Sequence, residues 1–258
     1  VTRLRETGVP VYVRIEQAVG ALAGSLQTEP TGIPPMPAAA APISDGGYAA
    51  GRQVLMDAGI PFPRLGMAGD AAEAEELAGQ IGYPVAVKAS FLLHKSDAGG
   101  VFLNLRSASA VRSALLDIRA RLGDGPVSIE AMAEAGGQEL IIGVRRDPRF
   151  GPVLMAGLGG IYTEIWEDVA VELAPVDFAA ARRMLERLRA ARLLSGARGQ
   201  PPLDMGGAAR VMAILSNLAA AHPEWEAVEI NPLRVYEDGV LALDSRVIPM
   251  PAGEHPAP

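Results

Sequence analysis

Lys88 ends the apolar run in GYPVAVKASFLLHKSDAGGV (residues 82–101), and His94, Lys95, Gly99 and Gly100 follow in the same stretch. A buried ammonium is costly and a glycine pair weakens a strand, so their gathering here points to a ligand. Glycines let the backbone approach closely and turn N–H groups toward phosphate oxygens, and two lysines supply the neutralising charge. The stretch reads as a phosphate cradle; taken alone, Lys88 also reads as a strand-end lysine whose head reaches water. Neutral imidazole is a nucleophile toward phosphorus, so His94 is either a phosphoryl carrier or a hydrogen-bonding partner of a phosphate.

Two further constellations carry chemistry. GPVLMAGLGG (151–160) is glycine-rich, and Glu164 and Asp168 follow it; the set suits a nucleotide with a bound metal, or a plain tight turn. In VEINPLRVYEDGVLALDSRV (228–247), Glu229 and Asn231 share a strand face, and Asp244 lies on the return strand beyond the Asp238-Gly239 turn. A two- or four-residue loop places Asn231 and Asp244 on one face roughly 5–8 Å apart. An amide oxygen with one or two carboxylates is a hard-oxygen set that suits magnesium. The same residues also read as an Asx turn before Pro232 and an exposed aspartate. His222 has no nearby second ligand type for zinc, Trp225 reads as packing, and His255 lies in a proline-rich tail.

The elements that position these groups alternate. Helices are expected over YAAGRQVLMDAG, over DAAEAEELAGQIG with Asp70 as N-cap, over SASAVRSALLDIRARLG opening on Ser107, over FAAARRMLERLRAARLL and over GAARVMAILSNLAAAH. Strands are expected at GIPFPRLGMA, as a short edge, and at YPVAVKAS, VFLNLR, VSIEAMAE, QELIIGVRRD and PVLMAGLGG. A closing hairpin turns at Asp238-Gly239; GIYTEIWEDVAVELAPVD is ambiguous. The order suits two α+β lobes better than one doubly wound sheet. Residues 27–47 hold five prolines and read as a linker.

Composition bounds the function. The chain has 258 residues, no cysteine and a net charge of −7. Disulfides, thiolate chemistry and cysteine–zinc sites are excluded. An acidic molecule has no overall attraction for nucleic acid or an anionic membrane, so neither is expected as a partner. No apolar run is long enough to span a bilayer and VTRLRETGVP lacks a signal-peptide core; a cytoplasmic location is the default expectation. Without an initiator methionine at Val1, the chain is expected to be processed, cut or a fragment.

These residues resemble the ATP-grasp part of the NDP-forming acyl-CoA synthetases, relatives of succinyl-CoA synthetase. The resemblance is carried by GYPVAVKASFLLHKSDAGGV, GGQELIIGVRRDPRFGPVLMAGLGGIYTEIWEDVAVELAP, LLSGARGQPPLD and VEINPLRVYEDGVLALDSRV, four motifs in the family's order between Tyr48 and Val247. It implies an α+β ATP-grasp fold, two lobes with the nucleotide site between them: residues 48–132 first, 133–250 second, and a tail at 251–258. Residues 1–26 look like the last strand and helix of a preceding CoA-ligase-type domain.

The resemblance implies that Lys88 and Lys95 hold ATP or ADP phosphates, with Gly99 and Gly100 in a loop over them. Glu130, Ala131 and Met132 match the strand along adenine, and Glu139 an acidic residue suited to the ribose. Asn231 and Asp244 match Mg2+ ligands, and His94 matches a histidine that shuttles a phosphoryl group. CoA would be bound by other domains, fused upstream or in a separate alpha subunit, with a carboxylic acid as substrate and an oligomer expected. The family commonly has an arginine near position 172, where this chain has Glu172. Two rival readings keep the fold: a carboxylate–amine ligase without phosphohistidine, and a nucleotide-sensing module.

Overall fold

The computed structural model describes residues 11–12, 15, 17–19, 21, 34–40, 47–92, 95, 98–159, 168–197 and 199–251. The chain forms two compact units, Val1–Pro34 and Pro35–Pro258. In the first, Ile15, Gln17, Ala18, Val19 and Ala21 are helical, and Ile15 and Val19 are exposed. Residues 34–40 have no regular secondary structure. The rest of the expected linker, the glycine-loop residue Glu164, His255 and the catalytic candidate His94 lie outside the described residues.

The second unit opens with helix α1 (Tyr48–Asp57). Strands β1 (Leu65–Ala68), β2 (Val85–Ala89), β3 (Val101–Leu105) and β4 (Val127–Ala131) form a sheet of order β1-β4-β2-β3. Every pairing in it is antiparallel. Helices α2 (Ala71–Ile81) and α3 (Ala108–Leu122) cover one face. Asp70 starts α2 by accepting from Ala72 N and Glu73 N at 2.8 and 2.9 Å, which satisfies donors that the first turn leaves open; just before the cap, Gly69 N donates to the Glu73 carboxylate. Ser107 starts α3 by accepting from Ala110 N.

Alternation along β2 sorts its side chains. Val85, Val87 and Ala89 pack with Ala78, Leu115 and Ile118 in the first core. Ala86 and Lys88 point the other way, opposite Glu130 and Ser128 of β4. A strand buried on both faces therefore carries its one charged residue on the face turned from the helices.

The second sheet comprises β5 (Gln138–Asp147), β6 (Gly151–Leu158), β7 (Val169–Leu173), β8 (Trp225–Val235), β9 (Val240–Ala242) and β10 (Ser245–Pro249). Its order is β10-β8-β5-β6-β7, with β9 also beside β8. Helices α4 (Phe178–Arg187), α5 (Ala191–Leu194) and α6 (Met205–Ala221) accompany it. Leu140, Ile142, Leu154, Met184, Leu215 and Ile230 build the second core, and Leu55 of α1 and Ile60 join it. The sequence reading starts the first lobe at Tyr48; in the structure α1 buries its apolar face in the second core.

The single helix expected over FAAARRMLERLRAARLL is two. Leu188 is extended between α4 and α5, and the Asp168 carboxylate accepts from Arg189 N and Ala190 N at 2.9 and 2.8 Å. That carboxylate takes up two amides in the break between the pieces, a tertiary contact that overrides a continuous helical period. Glu172 pairs with Arg187 at 3.2 Å on the exposed side. Among the described residues no helix is long and apolar enough to cross a membrane.

Candidate functional site

Pro232 decides the geometry of β8. It lacks the N–H that a central strand donates, and the pairing with β5 shifts register there, between Leu140 and Ile142. A bulge of this kind bends a strand and re-aims a side chain. Val228 and Ile230 before it, and Leu233 and Val235 after it, all remain in the core. Asn231 is turned outward. On the hairpin side the register runs unbroken: Leu233 faces Ala242 and Ile230 faces Ser245, so Asn231 faces Asp244. Asn231 N donates to Asp244 O at 3.1 Å and Leu243 N to Pro232 O at 2.9 Å. Tyr236 N donates to Gly239 O, leaving Glu237-Asp238 as a two-residue loop, one of the two lengths that keep this parity.

Asn231 and Asp244 line a cavity of about 230 Å³ together with Tyr48, Arg52, Lys95, Glu229 and Arg246. Lys95 Nζ lies 2.7 Å from Asp244 Oδ1 and 4.0 Å from the centre of the Tyr48 ring. Burial pushes the Lys95 ammonium below the usual lysine range, against the pull of Asp244. Two register positions along, on the same face, Arg246 pairs with Glu229 at 2.9 Å.

Behind this wall stands a buried ion cluster. Glu130, 1% exposed, accepts on one carboxylate oxygen from Lys88 Nζ at 2.9 Å and Arg52 Nη1 at 3.0 Å. On the other it accepts from Tyr48 OH at 3.0 Å and Ser128 Oγ at 2.8 Å. Burial alone would raise the Glu130 pKa, but Lys88 and Arg52 outweigh it and hold the carboxyl below its ordinary value. Burial, with Glu130 and Asp244 nearby, pushes the Tyr48 hydroxyl up, so it stays a donor. Lys88 Nζ also donates to Leu243 O at 2.7 Å, tying the first sheet to the hairpin of the second. Among the described residues, Arg52, Lys88, Lys95 and Arg246 outnumber Glu130, Asp244 and Glu229 by one charge. The site is thus locally cationic on an acidic chain, as an anionic ligand needs.

The structure brings Lys95, Asn231 and Asp244 into the cavity and places Lys88 and Glu130 in the cluster behind it. Gly99 and Gly100 close the loop that carries Lys95: Gly100 N donates to Lys95 O at 2.7 Å, and Gly100 O accepts from Ala89 N at 2.8 Å. The amides of Ala131 and Met132 donate to Arg64 O and Pro84 O, extending the sheet. Glu139 is ion-paired to Arg234 and lies outside the cavity lining. His94 is outside the described residues; its sequence neighbours Leu92 and Lys95 line the cavity. His222 stacks on Trp225 with centroids 4.2 Å apart and meets Glu224 at 2.8 Å, a packing role.

Sequence reasoning missed Tyr48, Arg52 and Arg246. The available signal was Arg52 itself, one turn after Tyr48 and on a helix whose Leu55 is buried: a charged residue beside an apolar stripe needs a buried partner.

The donor set suits magnesium. Asn231, Asp244 and Glu229 offer hard oxygens from adjacent rungs, few enough to leave positions for water and phosphate oxygens. Among the described residues no three His, Cys, Asp or Glu side chains gather into a closed cage. A cation already stands on Asp244, supplied by Lys95; the carboxylate is built to hold positive charge.

Comparison with known proteins gives the family. The ATP-grasp domain family profile matches residues 47–248. The beta subunit of acetate–CoA ligase (ADP-forming) I from Pyrococcus furiosus is 37% identical over 76% of this chain and 88% of its own length. A trans-feruloyl-CoA synthase from an unknown prokaryotic organism is 35% identical over 95% of this chain, which spans only 37% of that relative. Among solved structures, the acetyl-coenzyme A synthetase 1 of Ca. Korarchaeum cryptofilum superposes with a TM-score of 0.68 and 32% identity, over 79% of this chain and 92% of that one. That structure holds coenzyme A and Mg-AMPPCP, with a phosphohistidine segment pointing towards its nucleotide-binding site. With two antiparallel lobes, an Asn–Asp rung and a lysine-bearing glycine loop meeting in one cavity, the chain belongs to the ATP-grasp domain family, in the branch found in ADP-forming acyl-CoA ligases.

Proposed function

We propose that this chain is the nucleotide-binding, phosphoryl-transfer part of an ADP-forming acyl-CoA synthetase, for which acid + CoA + ATP ⇌ acyl-CoA + ADP + phosphate. The observation that carries the reading is the meeting of Lys95, from the stretch bearing His94, with the Asn231–Asp244 rung across one cavity.

The roles follow from the chemistry of the side chains. Lys95 and the cluster-held Lys88 neutralise the polyphosphate. Asn231, Asp244 and Glu229 would hold magnesium, which when bound would screen the charge on the phosphate oxygens. Glu130 keeps Lys88 and Arg52 fixed, so the cationic wall does not reorganise as charge moves. His94 attacks the terminal phosphorus: an N–P bond forms, the bond to the bridging oxygen breaks, and ADP leaves with the electron pair. In the synthetic direction this phosphoryl passes to a carrier group of the partner and on to the carboxylate, whose acyl phosphate reacts with CoA. CoA and the acid are held by CoA-binding domains in the same protein or a separate subunit. Relatives named for acetate and for trans-ferulate support acyl selection outside this module.

The test uses the intact protein with its CoA-binding partner and γ-labelled ATP with Mg2+. The expected label is acid-labile, base-stable and lost in His94→Asn. Label that survives in His94→Asn, or full thioester synthesis by that variant, removes the shuttle. ATP binding without any transfer favours a nucleotide sensor instead.

A further inference from the structure

We propose that Lys95 is the resident cation of the divalent-metal site: its ammonium holds Asp244 in the free protein and leaves when polyphosphate arrives, so that metal enters only together with a nucleotide. This rests on the reading of Asn231 and Asp244 as metal ligands.

Three observations carry it. Lys95 Nζ is 2.7 Å from Asp244 Oδ1, the distance of a direct charge-assisted contact. The side chain is 6% exposed and its head also sits 4.0 Å from the Tyr48 ring centre, so the ammonium is enclosed rather than loosely attracted from solvent. The Lys95 carbonyl is fixed by Gly100 N at 2.7 Å, so the flexible stem can swing the charge while its backbone stays anchored.

A divalent ion on the same carboxylate would lie within a few ångström of that ammonium. Repulsion at such separations in a partly enclosed site is large, and Arg52 in the cavity lining and Lys88 behind it add to it. Free metal is therefore disfavoured. A polyphosphate changes the balance, because its oxygens offer Lys95 a new partner and complete the shell of the ion. Metal and nucleotide then bind with positive coupling, the reciprocal consequence of one lysine choosing between two anions.

The test titrates Mn2+ by electron paramagnetic resonance against the intact protein, with and without ADP. Wild type is expected to bind free Mn2+ weakly and to gain affinity when ADP is present. Lys95→Gln is expected to bind Mn2+ without ADP more tightly by roughly 5- to 150-fold, the ordinary span of coupling between sites, and to show a correspondingly smaller ADP effect, the part that comes from phosphate oxygens completing the shell. Lys95→Arg, which keeps the charge, is expected to behave as wild type. Tight Mn2+ binding by wild type without ADP overturns the proposal whatever the variants do, and so do equal affinities for wild type and a Lys95→Gln protein shown to be folded by its unfolding transition. Failure of the metal reading looks different: neither protein binds Mn2+ with ADP present, and Asp244→Asn changes nothing.

Discussion

Glu130→Gln is the substitution that most directly probes the ion cluster behind the cavity. It preserves shape and deletes one negative charge between two buried cations, Arg52 at 2% and Lys88 at 8% exposure. Both cations sit on the same oxygen, at 3.0 and 2.9 Å. At an effective dielectric near 20, each contact at about 3 Å is an attraction of roughly 5 kcal/mol, of which desolvation of the charges takes back several kcal/mol. Breaking a buried pair by removing one partner costs about 3–5 kcal/mol, and that is the expected loss here. For a unit of this size, 1 kcal/mol moves the melting temperature by about 2–4 °C, so a fall of roughly 6–20 °C is expected. Urea unfolding at neutral pH should show a lower midpoint with an unchanged slope. A compensated triple variant, Arg52→Met, Lys88→Met and Glu130→Leu, should regain most of the loss, since an apolar replacement of a buried ion cluster is often neutral. A loss under about 1 kcal/mol for Glu130→Gln would refute the reasoning, because Arg52 and Lys88 would then have been tolerating burial without their counter-charge.

The same carboxylate sets an acid limit. Its folded-state pKa lies below the ordinary value, so its contribution is complete above the ordinary glutamate range, near 4.3, and is lost as pH falls below it through the folded value. Unfolding free energy measured from neutral pH down to acid should decline more steeply for wild type than for Glu130→Gln; parallel curves would contradict the assignment. Gly100→Ala should destabilise by about 1–3 kcal/mol and weaken nucleotide affinity. Its added carbon would sit 2.9 Å from Ala89 Cβ and 3.1 Å from both Leu122 Cδ1 and Lys95 O, displacing the loop that carries Lys95; calorimetric unfolding and ADP titration check both effects.

Local chemistry made much of this protein legible without coordinates. Asp70 and Ser107 announced their helices because a short polar side chain before an apolar period satisfies the open N–H groups of a first turn. Hairpin parity allowed Asn231 and Asp244 one face for a two- or four-residue loop, since side chains alternate; the two-residue turn that keeps the register even is seen only in the fold. The gathering of Lys88, Lys95 and the glycine pair pointed to this region through charge and backbone freedom alone, and Lys95 does line the cavity. What depended on packing at a distance was invisible. Nothing between Leu185 and Leu194 is a helix breaker, yet Asp168 splits that helix from far along the chain. The resemblance matched Glu130 to the strand along adenine; which groups its side chain would meet, Arg52, Lys88, Tyr48 and Ser128, came only from the fold. α1 buries Leu55 with the second core while its Arg52 pairs with the first sheet. A buried charge must be neutralised by whatever partner the fold brings within about 3 Å, and that choice is made by tertiary proximity, which no periodicity along a single segment encodes.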